Sequence, residues 1–234
     1  MSEEINQNDL NNQFKIIHFS VSLLPIVTII VALSTLLLNY ILYIIQGRFS
    51  INSLPTFSET AMFYPMSKIF AVGISLFAFL FFFDGQIFCD YLSLNNYTKA
   101  KFIRILPPII SILFTITCCV NKSEHPNVHG CFSCASFFML LMFTIWSYQA
   151  LKRLNILRYK LLRLTLIIIG ILSTIGIIIT APFKNYYVSI IQAIIEYIMA
   201  ITLFIFFGLW FSDFKRIEIE FCVMRSVIEE PLNP

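Results

Sequence analysis

Six apolar segments divide this chain, and each is long enough to cross a lipid bilayer as a single helix. A transmembrane helix needs about 20 consecutive apolar residues, and the segments of that length are residues 19–45, 69–88, 102–120, 128–151, 161–181 and 188–211. Hydrophobic residues make up 58% of the chain and charged residues only 12%, so almost nothing remains for a water-soluble domain. The sequence therefore predicts an all-α fold, a six-helix transmembrane bundle.

The distribution of positive charge predicts how the bundle is oriented. With the N-terminus placed in the cytosol, twelve of the 16 Lys and Arg residues fall on the cytosolic side, as the positive-inside rule expects. An even number of spans then puts both termini in the cytosol, with residues 1–18 as an N-terminal segment, 19–211 as the transmembrane domain and 212–234 as a tail. Asp84 and Asp213, near cytosolic helix ends, are expected to be neutralised by neighbouring Lys or Arg.

Glu196 lies inside the last apolar segment, where an ionisable group is costly. Insertion scales put that cost at about 2.5–3.5 kcal/mol for an unpartnered charge at the helix centre, so such a residue is a hypothesis for a functional site. Two interpretations are open at this point. Glu196 takes part in chemistry, or it makes an interhelical hydrogen bond that helps the helices pack.

Polar residues on the predicted lumenal side supply candidates for the rest of a site. His129 opens the fourth segment, and a histidine there is able to carry a proton near neutral pH, while Glu196 orients its ring or receives its proton. We therefore take His129 and Glu196 as candidate catalytic residues, and Glu59, His125 and Ser58 as candidate substrate-binding residues. The alternative for His129 is an anchor or cap at the membrane interface.

Several kinds of chemistry have no motif in this sequence. It contains no glycine-rich phosphate loop, no metal-binding histidine motif and no nucleophile elbow, so we predict no metal and no cofactor. Its basic residues flank the apolar segments and form no nucleic-acid surface, so no nucleic-acid partner is predicted.

Four segments together resemble the Frag/DRAM/Sfk family of six-span membrane proteins. They are LPTFS at 54–58, the stretch 64–70, VHGCF at 128–132 and IIEYIMAITLFIFFGLWFSDF at 194–214. The resemblance is closest to the branch typified by the factor called post-GPI attachment to proteins 2. This chain departs from that branch at Gly130-Cys131, where a polar pair is usual, and at Phe211-Ser212, where an aromatic pair is usual.

The resemblance implies a role in remodelling the lipid of glycosylphosphatidylinositol (GPI) anchors in the Golgi or endoplasmic reticulum, at the step that reacylates the lyso form. Membrane lipids, including the GPI lipid, are then the expected partners. Whether this chain is the acyltransferase or presents the substrate to a partner stays open. Other branches of the family suggest an alternative, a non-enzymatic scaffold at the plasma membrane or lysosome that recruits a cytosolic protein, as modulators of autophagy or of phosphoinositide kinases do.

Overall fold

The computed structural model describes residues 14–50, 54–180, 183, 185–215 and 218–224. Its helices are α1 (Leu24–Ile45), α2 (Phe57–Thr60), α3 (Met66–Leu94), α4 (Ala100–Ile103), α5 (Leu106–Cys119), α6 (Pro126–Arg153), α7 (Lys160–Thr180), α8 (Tyr186–Gly208) and α9 (Trp210–Phe214). Two strands, β1 (Phe14–Ser20) and β2 (Glu218–Met224), lie at the two ends of the described chain.

The six-helix transmembrane bundle predicted from the sequence is confirmed. In the part of the chain that the structure describes, six helical spans are long and apolar enough to cross a membrane, and α4 with α5 and α8 with α9 each form one of them. The first span begins at Leu24, later than the apolar pattern suggests, because residues up to Ser20 belong to β1. Pro25 falls in its first turn, where the missing N–H of proline costs the helix no hydrogen bond.

Helices that follow one another along the chain pack side by side, and the last returns to the first. α1 packs on α3, α3 on α5, α5 on α6 and α7 on α8, while α8 also contacts α1 and so closes the bundle. The core holds an aromatic cluster around the fully buried Trp210, whose ring stacks on Phe88 with 4.5 Å between centroids. Phe143 and Phe207 meet the same indole edge-on, at 5.7 and 4.9 Å.

Gly73 allows α1 and α3 to approach closely. A Cβ atom at this position would overlap the side chain of Thr35 on α1, so only glycine fits without moving one helix. Small residues at helix contacts are a common device in membrane proteins, because close backbone approach increases the van der Waals contact between helices. The close approach forms the floor of a lipid-facing groove between α1 and α3.

The bundle has two faces, which we name by the elements that they carry. The terminal face carries β1 and β2, which pair antiparallel with Phe14 opposite Met224 and Ser20 opposite Glu218. The distal face carries the connections that follow α1 and α5 and the short helix α2. The prediction that the terminal face is cytosolic and the distal face lumenal remains a prediction.

Two acidic side chains are buried near the terminal face, and they are compensated differently. Asp213 accepts a hydrogen bond of 2.6 Å from Arg163, with the two side chains 2% and 0% exposed, as the expected neutralisation requires. For Asp84 the expectation is wrong. Among the described residues no Lys or Arg forms an ion pair with Asp84, and its carboxyl oxygen instead accepts a 2.6 Å hydrogen bond from the hydroxyl of Thr28.

Candidate functional site

The short helix α2 folds back into the distal mouth of the bundle, and a capping box starts it. The backbone N–H of Glu59 donates to the Thr56 hydroxyl at 3.2 Å, and the backbone N–H of Thr56 donates to the Glu59 carboxylate at 2.9 Å. Threonine followed three residues later by glutamate is the sequence signature of this arrangement. The box fixes the orientation of the helix and therefore of Ser58, which lies within it.

Lys122 ties this helix to the connection between α5 and α6. Its ammonium lies 3.2 Å from the second oxygen of Glu59 and 3.3 Å from the Thr56 hydroxyl. Partial burial raises the pKa of the Glu59 carboxyl, but the Thr56 N–H and the Lys122 ammonium outweigh it and leave this pKa below its ordinary value. Both carboxylate oxygens are thus engaged in holding α2, and the role of Glu59 in binding substrate stays a prediction.

Two replacements of Glu59 distinguish the contribution of its hydrogen bond from the Thr56 N–H and the contribution of its ion pair with Lys122. Glu59→Gln keeps an acceptor for the Thr56 N–H and is expected to cost only a few tenths of a kcal/mol, because a half-exposed ion pair contributes little. Glu59→Ala also removes the acceptor of the Thr56 N–H, although the Thr56 cap itself remains, and is expected to cost about 1 kcal/mol. Thermal unfolding of the purified protein in detergent measures both values.

The same carboxylate predicts a dependence on pH. Because the folded-state pKa of Glu59 is lowered, its contribution to stability is present above the ordinary value of 4.5 and is lost as the pH falls through the lowered value. The difference in stability between the wild type and Glu59→Gln should therefore vanish on acidification. An equal stability of wild type, Gln and Ala variants at neutral pH would show that this carboxylate does not hold α2.

Ser58 and His129 form the central contact of the site. His129, in the first turn of α6 and 5% exposed, places Nε2 2.9 Å from the Ser58 hydroxyl oxygen and Nδ1 2.8 Å from the backbone carbonyl of Val120. One imidazole therefore joins α2, the end of α5 and the start of α6. It fixes the position of the serine relative to the bundle.

The partners of the imidazole define which nitrogen carries the hydrogen. A backbone carbonyl only accepts, so Nδ1 donates to Val120, and in the neutral ring Nε2 is the acceptor for the Ser58 hydroxyl. A hydroxyl that donates to a base whose other nitrogen is held by a third group is the arrangement of an activated nucleophile. Here a carbonyl takes the place that a carboxylate has in a Ser-His-Asp triad.

Glu196 and Tyr197, neighbours on α8, contact the start of α2 and the segment that leads into it. The half-buried Glu196 carboxyl lies against the backbone N–H groups of Phe57 and Ser58. The Tyr197 hydroxyl donates to the carbonyl of Pro55 at 2.7 Å, and its ring meets the Phe57 ring edge-on at 4.2 Å between centroids. The Glu196 carboxyl in the last span thus faces backbone N–H groups at the start of α2.

The structure brings some of the predicted site residues together and separates others. Ser58 and His129 are in direct contact, and Glu196 reaches the backbone of Ser58. The predicted contact between Glu196 and the His129 ring is not formed, because both ring nitrogens are taken by Val120 and Ser58. His125 precedes α6, is exposed, and its ring does not line the cleft beside Ser58.

A polar cleft of about 180 Å³ opens beside the Ser58–His129 pair. Its walls come from α2, the first turns of α3, the end of α5 and the connection that follows it. Polar side chains on the lining are those of Ser58, Ser67, Lys68, Asn121, Lys122, Glu124 and His129. The hydroxyl and imidazole are therefore next to a polar space at the predicted lumenal surface.

Comparison with known proteins identifies the family. Residues 20–217 match the family model described as the Frag1/DRAM/Sfk1/Cwh43P N-terminal domain. The chain belongs to this family. The match covers all six spans of the Frag1-family bundle together with α2 and the two connections that form the cleft. A search of curated proteins found no match, and a search of solved structures found none either.

Three parts of this Frag1-family site were not found from the sequence. The capping box at Thr56 and Glu59 had a readable signature, since threonine and glutamate stand three apart. Tyr197 adjoins Glu196 in a segment already recognised, yet nothing in the pattern indicates that its hydroxyl reaches Pro55. Val120 acts through its backbone carbonyl, which no side-chain pattern reveals.

Proposed function

We propose that this chain is a membrane acyltransferase of lipid remodelling, and that Ser58 and His129 carry the transfer at the distal face. The contact of 2.9 Å between the Ser58 hydroxyl and His129 Nε2 is the observation that carries the proposal. It satisfies the first requirement for a nucleophilic serine, a base within hydrogen-bond distance whose own orientation is fixed. The imidazole is 5% exposed and both of its nitrogens are engaged, so the orientation of the base is fixed.

The reaction divides into two steps that both use the imidazole. Ser58 Oγ attacks the carbonyl carbon of an activated acyl ester or thioester, His129 Nε2 takes the hydroxyl proton, and the leaving alcohol or thiol receives that proton. A free hydroxyl of a lysolipid then attacks the acyl-serine. His129 takes the proton of this hydroxyl and returns it to Ser58 Oγ, which leaves the serine unchanged and the lipid acylated.

The resemblance to the post-GPI attachment to proteins 2 branch supports a specific acceptor. In that branch the step is the reacylation of lyso-GPI in the Golgi or endoplasmic reticulum, and the acceptor combines a lipid chain with a phosphoinositol head. A site at the membrane surface, with apolar helices below it and a polar cleft beside it, suits such an amphipathic molecule.

Cells that lack the protein provide the test. Ser58→Ala is expected to abolish rescue of surface GPI-anchored proteins and of the remodelled anchor lipid, because the nucleophile is gone. Ser133→Ala is the matched control, since Ser133 lies on α6 one turn after His129 and does not line the cleft. Full rescue by Ser58→Ala at normal protein abundance would refute the proposed chemistry.

A further inference from the structure

Lys68, in the first turn of α3, lines two spaces of different character. On one side is the polar cleft beside Ser58. On the other is the lipid-facing groove between α1 and α3, an open space of about 450 Å³ whose other walls include Ser34, Thr35, Leu38, Ile69 and Val72. A polar cleft and an apolar groove therefore meet at a single cationic side chain.

Lys68 carries a charge that the described residues do not neutralise. Its side chain is exposed, and within the described ranges no acidic group forms an ion pair with it. The other lysine of the cleft, Lys122, is already paired with Glu59. Glu124 also lines the cleft and is exposed, but it makes no ion pair with Lys68 among these residues. The unpaired positive charge at the junction suits an anion.

The sizes of the two spaces limit what fits. At about 180 Å³ the cleft is smaller than the roughly 300–1,000 Å³ of a typical ligand pocket. It therefore has room for a headgroup and not for a whole lipid. The groove is open toward the membrane and is lined mainly by apolar groups, which suits an acyl chain.

We propose that the acceptor is a single-chain lipid with an anionic phosphate headgroup, bound with its phosphate on Lys68, its polar head in the cleft and its chain in the groove between α1 and α3. The identification of this lipid as the acceptor rests on the function proposed above. The lipid's free hydroxyl lies between its acyl chain and its phosphate, so this pose places it beside Lys68 at the junction of the groove and the cleft.

The first test measures the headgroup. The purified full-length protein in detergent is titrated with lysophosphatidylinositol and with lysophosphatidylcholine of the same chain length, and binding is followed by native mass spectrometry. The anionic lipid is expected to bind more tightly, and Lys68→Gln to weaken it by about 10-fold to 100-fold, the value of one charge-assisted hydrogen bond. Arg48→Gln is the control, because Arg48 is an exposed distal-face cation that lines neither space.

The second test measures the chain. Ser34→Trp fills the groove and is expected to weaken both lipids alike, whereas Leu172→Trp on the exposed surface of α7 should weaken neither. Ser34 is exposed and, among the described residues, its hydroxyl bonds only to the carbonyl of Val31 on its own helix, so the variant should fold.

The outcomes separate this proposal from the proposed function. Equal binding of the two lipids, unchanged by Lys68→Gln, would overturn the phosphate site even if Ser58→Ala abolished remodelling. Headgroup-selective binding that depends on Lys68 would support the phosphate site even if Ser58→Ala proved fully active.

Discussion

Replacement of His129 by asparagine is expected to lower the rate of the proposed acyl transfer by about 10²–10⁴-fold while the protein remains folded. The size of the loss is that of a general base removed from its substrate. Asparagine offers an amide N–H in place of the Nδ1–H that donates to Val120, so the connection between α5 and α6 keeps a donor. It offers no basic nitrogen to the Ser58 hydroxyl.

His129→Ala completes this experiment, because it removes both contacts of the ring. We expect it to lose activity to the same extent and also to lower the unfolding temperature, since the Val120 carbonyl loses its donor and the buried imidazole leaves a cavity. The measurements are anchor-lipid composition in deficient cells and thermal unfolding of the purified variants. Wild-type remodelling by His129→Asn would mean that the ring is only a structural link between α5 and α6.

Replacement of Arg163 by methionine is expected to destabilise the protein by about 3–5 kcal/mol, the cost of breaking a buried ion pair by removing one partner. Asp213 would then remain 2% exposed without the 2.6 Å hydrogen bond from Arg163. The carbonyl of Leu209 would lose a donor as well, because Arg163 also bonds to it at 3.1 Å. Unfolding of the purified protein in detergent measures the loss.

The double variant Arg163→Met with Asp213→Leu tests this explanation. Removing both charges leaves no unpaired ion, and two apolar side chains suit the buried surroundings, so most of the lost stability should return. A double variant as unstable as Arg163→Met alone would show that the guanidinium acts through packing, for example through its position over the Phe206 ring, and not through the ion pair.

The spans were predictable from the sequence because the hydrophobic effect acts on long segments and leaves a pattern that composition alone reveals. Ser58 and His129 were also selected in advance, as polar residues at the predicted lumenal surface. Their mutual contact was not, because it depends on how far α2 folds back over the mouth of the bundle. That depth is set by the Thr56 cap, by Tyr197 and by Lys122, which lie far apart in the sequence.

The partner of Glu196 could not be predicted from the sequence. Counting helical turns places it below the distal surface on α8 and suggests that the nearest polar ring is its partner. In the structure the start of α2 lies at that depth, and the backbone N–H groups of Phe57 and Ser58 face the Glu196 carboxyl. A backbone that folds back between helices carries N–H donors, and a search for polar side chains in the sequence does not find them.

The pairing of β1 with β2 joins residues 14–20 and 218–224, from the two ends of the described chain, in one small sheet. Because Phe14 lies opposite Met224 and Ser20 opposite Glu218, each strand takes its ladder of backbone hydrogen bonds from the other. Truncating the protein after Phe214 deletes β2 together with the residues that follow it, so the backbone groups of β1 lose their hydrogen-bond partners. A stop codon after Met224 leaves the pairing of β1 with β2 intact. Only the shorter deletion therefore tests the residues after Met224 without removing a strand.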